Sequence, residues 1–146
     1  MSASAVDQIV TGCLAVRVRL IARAVTAVYD TALEGHGLTI AQLNLLAAVG
    51  KSGPCAPSTL GEILQLERST VSRNLTLLLR HGWIEAASSD AKGIREVVLT
   101  REGRAKVSSV MPQWRSAQRE TVKLLEAHGV TAIRDIADHI GHLPSS

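Results

Sequence analysis

The segment from Thr59 to Thr100, TLGEILQLERSTVSRNLTLLLRHGWIEAASSDAKGIREVVLT, constrains the fold of this chain more than any other part of it. Thr59 with Glu62 has the form of a capping box and opens a helix over Leu60–Leu64. A turn around Gln65–Glu67 follows, and a second helix runs from about Arg68 to His81 until Gly82 stops it. Within that helix Val71, Leu75, Leu78 and Leu79 share one face and read as core. Trp83–Ala87 and Ile94–Leu99 then read as short strands around a polar loop, Ser88–Gly93, in which Gly93 is available for a strained turn. Helix, tight turn, helix and hairpin together form a winged helix-turn-helix, whose second helix enters the major groove of duplex DNA.

The front of the second helix carries the matching chemistry. Ser69, Thr70, Ser72, Arg73 and Asn74 occupy its first turns, and Arg68 opens it. Hydroxyls and a helix N-terminus suit phosphate oxygens. Arg73 suits bidentate pairing with guanine, and Asn74 pairing with adenine. In the hairpin, Lys92 and Arg95 both qualify as the cation that enters a minor groove, where arginine reads groove shape rather than base identity. Arg95 has an alternative use as an ion-pair partner of Asp90 or Glu96.

Charge singles out the same region. The net charge of +3 is modest, yet residues 67–106 carry eight basic against five acidic side chains, and the stretches on either side carry four of each. A polyanion would be bound on that middle segment.

The flanking segments are helical and apolar. Val6 to about Glu34 forms one long pattern, with stripes at Ile9, Cys13, Val16, Leu20, Ala24 and Ala27 and at Val10, Leu14, Ile21, Val25 and Val28. Two stripes call for cover on two sides, one from the chain itself and one from a partner. Thr39 with Gln42 opens a short helix whose core face is Leu43, Leu45, Leu46 and Val49, and Gly50–Pro57 reads as a loop. Thr100 caps a second long helix from about Arg101 to His128, about 42 Å long at the standard rise. Pro112 should kink it or mark a register change, and Gly129 should end it. A last helix covers about Thr131–Gly141. With no Phe, one Tyr and two Trp among 146 residues, the core must be built from Leu, Ile, Val and Ala, as helix-on-helix packing allows.

In order and spacing, several pieces resemble the MarR (multiple antibiotic resistance regulator) family of winged-helix transcriptional regulators. They are Leu38-Thr39 with Gln42, Thr59-Leu60-Gly61-Glu62-Ile63, Arg68-Ser69-Thr70-Val71-Ser72-Arg73-Asn74-Leu75, His81-Gly82-Trp83-Ile84-Glu85, Asp90, Arg95 and Leu99-Thr100-Arg101-Glu102-Gly103. The resemblance covers roughly residues 9–142. It implies a mainly α fold with a small β-wing: a winged helix-turn-helix over residues 38–100, flanked by helical dimerisation regions at 1–37 and 101–146, within one domain of 1–146. It also implies a homodimer on a palindromic operator in double-stranded DNA, released by a small phenolic or aromatic effector or by thiol oxidation. Family wings carry an Asp-x-Arg arrangement; here Asp90 is followed by Ala91-Lys92-Gly93-Ile94-Arg95, so the Arg is displaced and Lys92 takes the nearby position.

Other features separate into site candidates and packing. Cys13, with Arg17 one turn on, is a candidate redox sensor or a small core residue; Cys55, in the Gly/Pro-rich loop, is expected to be more exposed. Trp114 and Gln118 share a helix face and either line an effector site or pack. His139 and His142 have a metal-like spacing but no further ligand at a suitable distance in sequence, so no metal or other cofactor is expected. Without a Gly-rich phosphate loop, a nucleophile elbow or a framed carboxylate pair, the chain does not read as an enzyme. Arg17, Arg19 and Arg23 interrupt the N-terminal apolar run and Asp7 precedes it, which argues against export or membrane insertion and for a cytoplasmic location with free thiols.

Overall fold

The structure, a computed structural model, describes residues 2–141. In chain order it contains α1 (Ala5–Gly12), α2 (Leu14–Leu33), a single 3₁₀ turn (Glu34–His36), α3 (Ile40–Ser52), α4 (Pro57–Leu64) and α5 (Arg68–Arg80). A hairpin of β1 (Ile84–Asp90) and β2 (Gly93–Leu99) follows, then α6 (Arg101–Ser109) and α7 (Met111–Ile140). The two strands pair antiparallel, and Cys55 adds one bridge to Val97 on the other edge of β2.

The core lies where α3, α4, α5, the hairpin and the start of α7 converge. Leu33, Leu38, Leu43, Leu45, Leu46, Val49, Leu60, Val71, Leu75, Leu78, Ile84, Val97 and Val110 are all buried there. On α3 the four residues expected as its core face are the four that are buried, behind the Thr39–Gln42 capping box. On α5 Val71, Leu75 and Leu78 are buried and Leu79 is half-buried against the same cluster. The i, i+4, i+7 spacing of the three buried residues points one helix face inward and leaves the opposite face free.

Several boundaries differ from the sequence reading. The first long helix is broken at Cys13, which takes an extended backbone (ψ 114°) between α1 and α2. Cys55 is buried, because its backbone exchanges hydrogen bonds with Val97 (2.9 and 3.2 Å) and draws the thiol into the core. The loop before α4 is shorter than Gly50–Pro57: α3 continues to Ser52, and Pro57 itself starts α4. Proline fixes φ at a helical value and has no N–H to satisfy, so it suits a first helical position. Thr59 therefore stands inside the first turn, Ala56 is the N-cap, and no Thr59–Glu62 capping box forms. The hairpin is also tighter, because Ser88, Ser89 and Asp90 belong to β1 and only Ala91 and Lys92 form the turn.

After Thr100, whose hydroxyl caps α6 by accepting from the Gly103 amide, the chain breaks at Val110. Pro112 sits in the first turn of α7, where its missing N–H costs nothing. The expected break between the long helix and the last one is present but falls at Glu126 (φ 57°, ψ 168°) rather than at Gly129: the helix kinks there, and a further helical stretch continues to Ile140. Lys106 ties α6 to the rest: its ammonium donates to the His36 carbonyl (2.6 Å) and stands 5.1 Å above the Trp83 ring, itself stacked on His81.

Candidate nucleic-acid interface

The free face of α5 is basic and hydroxylated. Arg68, Ser69, Ser72 and Arg73 are exposed, and no carboxylate lies between residues 68 and 80. Glu67 is the N-cap of α5 but makes no side-chain cap bond. The first-turn N–H groups of α5 are thus left without a side-chain acceptor, as an incoming phosphate oxygen requires. Arg73 lies at the centre of the exposed face, opposite Val71, Leu75 and Leu78, and forms no ion pair among the described residues.

Thr70 and Asn74 sit at one edge of this face and are half-buried. Asn74 is held by a group that sequence reasoning assigned only to a helix cap. The Gln42 side-chain amide donates to Asn74 Oδ1 (3.3 Å) across 32 residues of sequence. No local signal points to this contact, because only the packing of α3 on α5 creates it.

The wing is organised by Asp90. One carboxylate oxygen accepts from the Lys92 backbone N–H (2.8 Å), and the other accepts from Arg95 Nε. Gly93, at φ 120°, completes the turn in a conformation that a residue with a Cβ rarely adopts. Register explains how the displaced arginine reaches Asp90. Ser89 pairs with Ile94 and Ser88 with Glu96, so Arg95 is the extra residue of a bulge. A bulge re-aims the side chain it carries. The Lys92 side chain stands exposed at the tip, in no ion pair among the described residues.

The remaining candidates are placed as follows. Cys13 is half-buried at the α1–α2 break, and the Arg17 guanidinium donates to the backbone carbonyls of Cys13 and Thr11. Burial, and then the nearby Glu96 carboxylate, push the Cys55 thiol up from its ordinary value. The thiolate is the reactive form, so Cys55 should resist alkylation in the native protein and react once unfolded. Peptide mapping after iodoacetamide treatment with and without guanidinium checks this; native labelling of Cys55 at the rate of a free thiol would contradict it. Trp114 packs against the core and Gln118 accepts a hydrogen bond from Tyr29. Neither lines the open groove of about 510 Å³ between α2 and α3, bordered by Asp30, Thr31, Glu34, Leu38, Thr39 and Gln42. His142 lies outside the described residues, among which no three His, Cys, Asp or Glu side chains converge as a metal would need. Among the same residues no helix is long and apolar enough to cross a membrane.

A helix with a basic, acid-free outer face, set beside a two-stranded wing and braced by two further helices, defines the winged helix-turn-helix class. Residues 36–93, the span from the end of α2 to the wing tip, match the model of the MarR family. The match covers the winged-helix segment, less than half of the chain, and that segment is what is similar to the family. The chain is 28% identical over 89 residues to an uncharacterized HTH-type transcriptional regulator of Bacillus subtilis, YwoH, an alignment that spans 61% of this chain and 65% of that protein. Among solved structures, a mutant MarR from E. coli complexed with operator DNA superposes with a TM-score of 0.75 at 20% identity, covering 91% of this chain and 96% of that one. Bordetella bronchiseptica BpsR, whose DNA binding is regulated by 6-hydroxynicotinic acid, gives a TM-score of 0.75 at 21% identity over 89% of this chain and 95% of its own. At such identities the likeness is one of fold.

Proposed function

We propose that the chain is a sequence-specific DNA-binding regulator that acts as a homodimer on a palindromic operator and represses transcription until a small effector releases it. The observation that carries this reading is the outer face of α5, basic, hydroxylated, uncapped and free of carboxylates. Arg73 and Asn74 would meet base edges, while Arg68, Ser69, Thr70 and Ser72 would meet phosphates. At the wing, Lys92 would enter the groove from the turn, and Arg95 would offer the part of its guanidinium that Asp90 does not hold.

The dimer is supported by apolar surface that one chain leaves uncovered. Val6, Ile9, Val10, Leu14, Val16 and Leu20 are each at least 65% exposed, and Leu124, Ile136 and Ile140 at least 54%. Large apolar side chains left exposed in this number suit an interaction surface. They lie on the two flanking helical regions, so a second copy covering them would hold two α5 helices on one face of DNA. Effector release is supported by the DNA-binding control described for BpsR and by the α2–α3 groove beside α5.

The test is footprinting on the DNA upstream of the chain's own gene. Protection of two half-sites, with centres about 10–10.5 base pairs apart or a multiple of that, is expected. A dimer in solution that protects no sequence in preference to bulk DNA would refute the proposal.

A further inference from the structure

We infer that Gln42 is a positioning residue that fixes Asn74 as a hydrogen-bond donor toward DNA. This role rests on α5 being the DNA-reading helix, and it originates in an atom that can act in only one way. The backbone N–H of Thr39 can only donate, and it donates to one side-chain atom of Gln42 (3.1 Å). That atom must be the carbonyl oxygen, Oε1. The other terminal atom of Gln42 is then Nε2, a donor with no acceptor function. Its partner on Asn74, 3.3 Å away, must accept and is therefore Oδ1. The terminal atom of Asn74 that Gln42 leaves free is in consequence Nδ2, with its two hydrogens. The polarity of one backbone amide at the start of α3 thus sets the polarity of a side chain on α5.

This has a chemical consequence for recognition. Reading adenine through both N6 and N7 requires an amide that presents its donor and its acceptor to the base together. Gln42 takes one of the two lone pairs of Oδ1 and holds that oxygen toward α3, away from such a pairing. Asn74 is left to donate to an acceptor on DNA, which is either a phosphate oxygen or a base acceptor such as guanine O6 or N7 or thymine O4. The capping box holds Gln42 from both sides, since its own backbone N–H donates to the Thr39 hydroxyl (3.2 Å). The orientation of Asn74 therefore exists before DNA arrives.

Gln42→Glu tests the inference because it keeps the cap and inverts the polarity. A glutamate at the third helical position accepts from the N-cap N–H as glutamine does. It offers Asn74 only acceptors, so the Asn74 amide turns, donates to the introduced carboxylate, and leaves Oδ1 free. Wild type, Gln42→Glu, Asn74→Ala and the double variant are each selected against a randomised duplex pool and titrated on the selected DNA. If Asn74 donates to a base, one position of the selected sequence passes from guanine or thymine to cytosine or adenine, which present amino groups. If it donates to phosphate, the selected sequence is unchanged and affinity falls about tenfold on every sequence, the scale of a lost charge-assisted hydrogen bond. Either loss must shrink to within about twofold in the Asn74→Ala background, which removes the general effect of the added negative charge. An unchanged sequence and affinity in Gln42→Glu, or an equal loss in both backgrounds, overturns the inference. Asn74→Asp gives a second route: it preserves the acceptor for Gln42 and removes the free donor, so binding equal to wild type also overturns it. Arg73→Ala distinguishes failure here from failure of the proposed function, because specific binding retained by that variant removes the role of α5 itself.

Discussion

If the proposed function holds, Arg73→Ala is expected to abolish specific operator binding while leaving the fold intact. The side chain is exposed, contributes nothing to the buried cluster and forms no ion pair among the described residues, so its removal leaves no buried group unsatisfied. Alanine is also the better helix former, so α5 itself should be unharmed. The loss falls on recognition. A bidentate contact from arginine to guanine is worth about 1–3 kcal/mol of discrimination, and the proposed two-fold symmetric complex would make it twice, giving about 2–6 kcal/mol. Converted at 1.4 kcal/mol per decade, that weakens specific binding by roughly 30-fold to 10⁴-fold. Loss of two positive charges should also reduce the slope of log affinity against log salt by about 1–2. Titration of wild type and variant on operator and on unrelated DNA, at two salt concentrations, measures both effects. Unchanged preference for the operator would show that α5 is not the reading helix.

The residues behind that expectation were legible because they depend on local rules. Val71, Leu75 and Leu78 define the inner face of α5 by spacing alone, so the exposure of Arg73 follows from its number. The features that sequence reading missed each depend on a contact between distant segments or on two competing local signals. Cys55 looks like an exposed loop residue until its backbone is seen to pair with Val97, far along the chain. At α4 two start signals overlap, and the conformational restriction of Pro57 overrides the capping spacing of Thr59 and Glu62. The Arg95–Asp90 pair, one of the uses the sequence left open for Arg95, was legible, but the bulge that returns the displaced side chain to that carboxylate was not. Gln42 was legible as a cap and illegible as a neighbour of Asn74. In the flanking helices the apolar residues Ile9, Val10, Leu14, Val16 and Leu20, legible as stripes, are exposed in the single chain, whereas the break at Cys13 has no signal in a continuous apolar pattern.

Gly103→Ala should be among the most destabilising single substitutions available to this chain, although alanine is favoured over glycine in a helix by about 1 kcal/mol. A Cβ at this position would overlap the Trp83 carbonyl oxygen and lie 2.8 Å from both the Trp83 carbonyl carbon and Leu99 Cδ1. The two Trp83 atoms are backbone and cannot rotate away. Relief requires α6 or the entry to β1 to move by about 1 Å, a large shift for a close-packed interior. Several restraints oppose it. The Thr100 N–H donates to the same Trp83 carbonyl (3.1 Å), and the Thr100 hydroxyl bonds Gly82 O (2.6 Å) while capping α6 at the Gly103 N–H (3.0 Å). Overpacking of this kind costs about 1–3 kcal/mol or more, and loss of the cap adds about 0.5–2 kcal/mol. After the helix-propensity gain is deducted, a net loss of about 0.5–4 kcal/mol remains. For a chain of this length that lowers the melting temperature by about 2–15 °C. Thermal melts of wild type and variant at one fixed protein concentration check the value, since the proposed dimerisation would make the midpoint depend on concentration. A variant melting within a degree of wild type would mean that the close approach of α6 to Trp83 is not a feature of the folded protein. In that case the wing would not be fixed to the flanking helices at this junction.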